Sequence, residues 1–302
     1  MLRSCTAQSC LARLCGAIVL AGVLGSSQAA VTVFDDAGNR VTLAKPALRV
    51  ISMAPHVTEL LFAAGGGERI VGAMNFSDYP EAAKRIPLVG SNSQIDMERV
   101  VALKPDLLVV WQSGNTSRQL AQLRELGVPV FFSEPQKLDE VATSLTRLGT
   151  LMGTDKVAQQ AADSFRASIA RLGAQYARRP VVRVFYQIWD KPLYTLNGSH
   201  IVSDAIRLCG GENVFAAQKV KAPSVSTEAV LQEDPEVIFG GDQHDAADAG
   251  LNIWLPFKAM QAVKRGNLFH LGGEQLTRAG PRMALGTADL CEKIELARQR
   301  RK

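Results

Sequence analysis

The stretch TDKVAQQAADSFRASIARLGAQYAR (154–178) lies near the middle of the chain and limits its architecture more than any other segment. It contains no proline, and Val157, Ala161, Phe165, Ile169, Leu172 and Tyr176 place an apolar residue every three or four positions. That spacing predicts one amphipathic helix, capped by Thr154, with a single buried stripe. A helix of this length extends roughly 37 Å, enough to cross a small domain from end to end. It is therefore expected to join two bodies.

On both sides of this helix, strand and helix signals alternate. Before it, Leu48–Met53, Ile70–Ala73, Leu107–Trp111 and Val128–Phe132 read as strands, and His56–Ala64, Met97–Leu103 and Ser117–Leu126 as helices. After Pro180, strands are expected at Val181–Ile188, Val237–Phe239 and Leu268–Leu271, and helices at His200–Leu208, Ala259–Val263 and Pro281–Ala297. Alternation of this kind means parallel sheets with helices on their faces. The predicted fold is α/β: two parallel-sheet lobes joined by a single long interdomain helix, with a ligand cleft between the lobes. The expected divisions are a leader at 1–29, an N-terminal lobe at 30–153, the linking helix at 154–179 and a C-terminal lobe at 180–302. Ligands of such folds bind where strands end and where domains meet.

One phrase occurs in both lobes. DMERVVALKPDLLVVW (96–111) and VSTEAVLQEDPEVIFGG (225–241) each give a capped short helix, a proline followed by an acid, and a buried strand. Asp96 and Ser226 suit the N-cap, and Glu98 and Glu228 fall in the first turn, where a carboxylate complements the helix dipole. Helix capping alone accounts for either glutamate. Their matched positions in two lobes point to a shared further role.

The first 29 residues carry Arg3 and Arg13, no acid, an apolar run from Leu14 to Leu24, and Ser27 and Ala29 before the expected cleavage point. This is the pattern of a secretory signal, and its apolar run is too short for a membrane anchor. Cys5, Cys10 and Cys15 lie too early for lipidation, so a soluble exported protein is expected. Beyond the leader only Cys209 and Cys291 remain. In an oxidising compartment such a pair is expected to form a disulfide, two separate buried thiols being the alternative. The formal net charge of +5 includes the two leader arginines, and the short clusters at 178–180 and 298–302 lack interleaved aromatics. Nucleic acid is not an expected partner.

No GxSxG elbow, HExxH, phosphate-binding glycine loop or metal-spaced cysteine pair occurs, and His56, His200, His244 and His270 form no spaced pair. No enzymatic activity and no bound metal are expected. Catalytic triads are recognised by geometry, so an exported hydrolase is the remote alternative. His56 has two readings, a surface position at a helix start or a contact in the cleft.

The segments PHVTELLFAAGGGERIVGAMNFSDYPEAAKRIPLVG (55–90), DMERVVALKPDLLVVW and CGGENVF (209–215) resemble the periplasmic substrate-binding proteins of ABC importers for cobalamin, haem and ferric siderophores. The likeness runs from about Arg49 to the last helix and is greatest to the cobalamin-binding members, through SDYPEAAKRI, CGGENVF and RAGPR. It implies a two-lobed periplasmic protein without catalysis, soluble after leader cleavage and acting as a monomer, that delivers a small molecule to a permease dimer. Cobalamin is the expected transported ligand, with haem or a ferric siderophore as alternatives. It implies a disulfide between Cys209 and Cys291, and permease docking by Glu98 and Glu228. It implies ligand contacts from Phe76, Trp111, Glu274 and Arg278, with His56 a further candidate. Asn92 and Ala222 stand where tryptophans are expected, and Trp189 is expected to restore part of that aromatic surface.

Overall fold

The computed structural model describes residues 30–241 and 250–301; the expected leader, His244 and Lys302 lie outside them. A hairpin of β1 (Val31–Phe34) and β2 (Arg40–Leu43) opens the described chain. The N-terminal lobe follows as β3 (Val50–Ser52), α1 (Pro55–Ala63), β4 (Ile70–Ala73), α2 (Met97–Ala102), β5 (Leu107–Trp111), α3 (Ser117–Glu125), β6 (Val130–Ser133) and α4 (Leu138–Met152). The long helix is α5 (Asp155–Tyr176). The C-terminal lobe contains β7 (Val182–Gln187), β8 (Trp189–Asp190), β9 (Leu193–Tyr194), α6 (Ile201–Leu208), β10 (Gly211–Asn213), α7 (Thr227–Glu233) and β11 (Val237–Gly240). It ends with α8 (Gln261–Lys264), β12 (Leu268–His270), α9 (Gly273–Thr277) and α10 (Met283–Gln299).

Both sheets are parallel and share one topology. The N-terminal sheet runs β4-β3-β5-β6 and the C-terminal sheet β10-β7-β11-β12, so each reads second, first, third, fourth in chain order. In both, the order reverses beside the first strand, and that switch point is where doubly wound sheets open a ligand crevice.

α5 packs against α1 and α4 on one side and α6 and α10 on the other. One buried apolar cluster consequently runs from Val50 and Leu107 of the first sheet, through Phe165 of α5, to Val184 and Phe239 of the second. The buried stripe differs from the predicted one in its first half. Val157 is 48 % exposed, while Ala158 and Ala162 face inward. The reason is close packing: a Cβ on Gly149 of α4 would lie 2.1 Å from the Ala158 side chain, so only small residues fit that crossing. The Thr154 hydroxyl does not cap α5, because it donates to the Ala64 carbonyl at 2.6 Å.

A disulfide joins Cys209, at the end of α6, to Cys291 of α10, with both residues fully buried. No helix among the described residues is long and apolar enough to cross a membrane.

Candidate ligand cleft between the lobes

A cavity of about 280 Å³ opens between the lobes, and its lining comes from both. The N-terminal lobe contributes Pro55 and His56 after β3, Trp111 and Ser113 at the end of β5, and Glu134 after β6. The C-terminal lobe contributes His200 at the start of α6, Lys221 and Arg278. The N-terminal contributions lie at or just beyond the carboxyl ends of their strands, where the switch-point rule places a ligand.

His56 starts α1 but is only 5 % exposed, and it lines the cleft. The Trp111 indole meets it edge-on, with ring centroids 5.6 Å apart, and Ser133 Oγ lies 3.4 Å from its Nε2. Burial pushes the His56 pKa down to about 4, helped by Arg278 and opposed by Glu134. His56 is therefore neutral near pH 7. Ser133 is itself fully buried and does not line the cavity, so this Ser–His contact presents no nucleophile to a substrate. Across the cleft, burial and nearby Lys221 lower His200 to about 4 as well, against the pull of Glu134.

Two sets of ion pairs hold the lobes together around this cavity. Lys221 reaches across to Glu134 at 2.7 Å. The same carboxylate accepts from the Ser113 hydroxyl and amide. Burial alone would raise the Glu134 pKa, but the hydrogen bonds from Lys221 and Ser113 hold it below the usual carboxylate range. On the other side Arg278 contacts Asp78 and Glu274, each at 2.7 Å, and Glu59 at 3.5 Å. Arg282 makes a two-toothed pair with Glu59, at 2.6 and 3.0 Å, and stacks 4.2 Å over the Tyr79 ring. Arg278 and Glu274 thus form one network with the N-terminal lobe, and the guanidinium already has carboxylate partners.

The remaining expected contacts are spread out. Phe76 and Trp111 share a second, smaller pocket on the N-terminal lobe. Trp189 is 45 % exposed just past β7, where its Nε1 donates to the Lys191 carbonyl, and it lines neither cavity. Glu98 and Glu228 stand exposed in the first turns of α2 and α7, and the predicted caps form: Asp96 accepts from the Arg99 amide and Ser226 from the Ala229 amide. Sequence reasoning missed Glu134, Lys221 and His200. Nothing local marks a lysine and a glutamate 87 positions apart as partners. No cluster of three metal-ligating side chains exists among the described residues.

Comparison with known proteins gives a consistent result. Residues 50–274 match the periplasmic binding protein family. The chain is 39% identical over 251 residues to the vitamin B12-binding protein of Yersinia pestis, covering 83% of this chain and 88% of that one. The periplasmic vitamin B12 binding protein BtuF of Vibrio cholerae has a solved structure that superposes with a TM-score of 0.78 at 38% identity, covering 84% of this chain and 98% of that one. A periplasmic haem-binding protein from Pseudomonas aeruginosa superposes with a TM-score of 0.71 at 26% identity, covering 82% of this chain and 92% of that one.

Proposed function

Because the chain belongs to the periplasmic binding protein family, we propose that it captures cobalamin or a related corrinoid and delivers it to an ABC importer. The observation that carries this reading is the extended likeness to vitamin B12-binding proteins across both lobes, at 39% and 38% identity, against 26% for the haem-binding structure. The site supports it chemically. Phe76 and Trp111 are exposed beside the cleft, and aromatic faces bury a flat macrocycle over a large area at small entropic cost; Trp189, outside both cavities, would join them only on a ligand that extends beyond these. Arg278 and Glu274 are the polar groups for corrin amides. The first 29 residues direct export, and the mature chain acts as a monomer.

Pockets of roughly 300–1,000 Å³ enclose drug-sized ligands, and a corrinoid is larger than these. The corrinoid reading therefore needs more of the inter-lobe cleft than the 280 Å³ cavity alone. Glu98 and Glu228, one on each lobe, dock cationic side chains of a two-fold permease.

A haem reading has one observation in its favour: His56 and His200 face the cavity as neutral imidazoles, the form that ligates iron. The test is direct. Purified protein is mixed with cobalamin, haemin or a ferric siderophore, passed through gel filtration, and its absorbance spectrum recorded. Co-eluting cobalamin is the expected result, and retention of haem alone overturns the corrinoid reading.

A further inference from the structure

The ion pairs beside the cavity leave it short of positive charge. Lys221, Arg278 and Arg282 supply the cations, and Glu59, Asp78, Glu134 and Glu274 supply one carboxylate more than these can balance. Each cation already has a carboxylate partner, at 2.6 or 2.7 Å. His56 and His200 face the same space and are neutral near pH 7. His200 Nδ1 accepts from the Val202 amide at 3.2 Å, so the proton of its neutral ring stands on Nε2. Among the described residues that line the cavity, no cation lacks a carboxylate partner.

The Lys221–Glu134 pair is fixed at both ends. The Lys221 carbonyl accepts from the Asn197 amide at 2.9 Å, which anchors the loop that carries it. The Glu134 amide donates to the Asp36 carboxylate at 2.6 Å, and the Glu134 carboxylate accepts from the Ser113 hydroxyl and amide. Lys221 Nζ donates to Glu134 and to no other described side chain, so its remaining hydrogens are free for a ligand. A neutral carbonyl can take them. A ligand carboxylate could take them too, but it must first lose its water and then stand beside Glu134. The first is a desolvation cost, and the second a repulsion between like charges.

We propose that Glu134 and Lys221 determine the charge class of the cargo: they accept a ligand edge made of neutral amides and reject the same edge carrying carboxylates. Selectivity of this kind comes from a feature that penalises the competitor. The Arg278 set does not compensate, because Glu59, Asp78 and Glu274 outnumber Arg278 and Arg282. The inference rests on the corrinoid reading and names the corrinoids that are refused, those whose side-chain amides have been hydrolysed to acids.

The test measures dissociation constants by titration calorimetry for cobalamin and for the three monocarboxylic acids made from it by hydrolysing one propionamide. The readout is the ratio of acid to amide dissociation constants within each protein, so a general change in affinity cancels. For the wild type, at least one acid is expected to bind about 10-fold more weakly than cobalamin. Glu134→Gln, which removes the charge and keeps the outline, is expected to lower that ratio about fivefold, and Lys221→Met, which leaves Glu134 unpaired, to raise it about fivefold. Damage to the shape of the cleft would move both variants the same way. Thermal melts report folding, and if one variant does not fold the other decides. Wild-type affinity for all three acids equal to that for cobalamin overturns the proposal. So does a ratio that stays put or moves the wrong way in a folded variant. If the wild type does not bind cobalamin at all, the corrinoid reading falls and takes this inference with it.

Discussion

The two copies of the helix–proline–strand unit differ most at the acid that follows the proline. In both, the residue before the proline is left-handed without being glycine: Lys104 has φ +46° and Asp234 φ +41°. In both, the acid locks the first strand of its sheet. The Asp106 amide donates to the Arg49 carbonyl, and the Asp106 carboxylate accepts from the Leu48 and Arg49 amides at 2.9 Å. The Glu236 amide donates to the Arg183 carbonyl, and the Glu236 carboxylate accepts from the Arg183 amide at 3.1 Å. The C-terminal copy adds more. Glu236 is 7 % exposed and also binds Arg265 at 3.0 Å and Arg301 at 2.6 and 2.7 Å. Burial alone would raise its pKa, but hydrogen bonds from Arg301 and the Arg183 amide hold it below the usual range. The same unit is thus a backbone lock in one lobe and the hub of a charged cluster in the other. Duplicate lobes explain why the phrase recurs; they leave the first-turn glutamates free for a role outside the fold.

Unequal damage is the first way to break this comparison. Glu236→Ala leaves two partly solvated arginines without their shared carboxylate as well as an amide without its acceptor, and is expected to cost about 2–3 kcal/mol. Asp106→Ala removes only hydrogen bonds to amides and is expected to cost about 1–2 kcal/mol. Urea unfolding of both variants measures the gap, and equal losses would mean that the arginine cluster contributes nothing.

Acid probes the lobes through their cleft histidines. His56 titrates near 4 in the fold and near 6.5 when unfolded, so between those values the unfolded chain binds a proton that the native chain does not. Stability therefore falls as pH drops from about 6.5 towards 4, by about 1.4 kcal/mol per pH unit from His56. His200, lowered to about 4 as well, adds a similar contribution over the same range. Denaturation midpoints between pH 7 and 5 should show this slope, and His56→Gln should flatten it. A slope unchanged in that variant would assign the acid response elsewhere.

The smallest expected change in stability comes from Glu98→Ala and Glu228→Ala, because both side chains are exposed and helix-end charges act weakly. Ligand affinity should also hold. Delivery should not: the double variant is expected to bind cobalamin normally yet fail to support uptake in vesicles containing the importer. Normal uptake returns both residues to plain helix capping.

What could be read from the chain alone depended on how local the signal was. LLVVW at β5 and the caps Asp96 and Ser226 are complete within a few residues, and the structure places them as expected. α4 (Leu138–Met152) was not among the predicted elements; it is separated from α5 only by left-handed Gly153 and the N-cap Thr154. The two-residue strands β8 and β9 are too short to show a period. For the site, Trp111, His56 and Arg278 follow from strand-end position and resemblance. The Lys221–Glu134 pair does not, since it exists only once the lobes have closed on each other.

The charge pairs across the cleft have a kinetic meaning. Lys221 and Glu134 line the cavity from opposite lobes, so a ligand entering between them meets a formed ion pair. Where that pair must break first, the apparent affinity is the intrinsic one diluted by the broken fraction. Lys221 and Glu134 keep 35% and 12% of their side-chain surface accessible, so dissolved ions reach the latch. Screening acts most on such partly solvated pairs. Rising ionic strength consequently weakens the pair, and ligand association rates measured across a salt series are expected to rise with it.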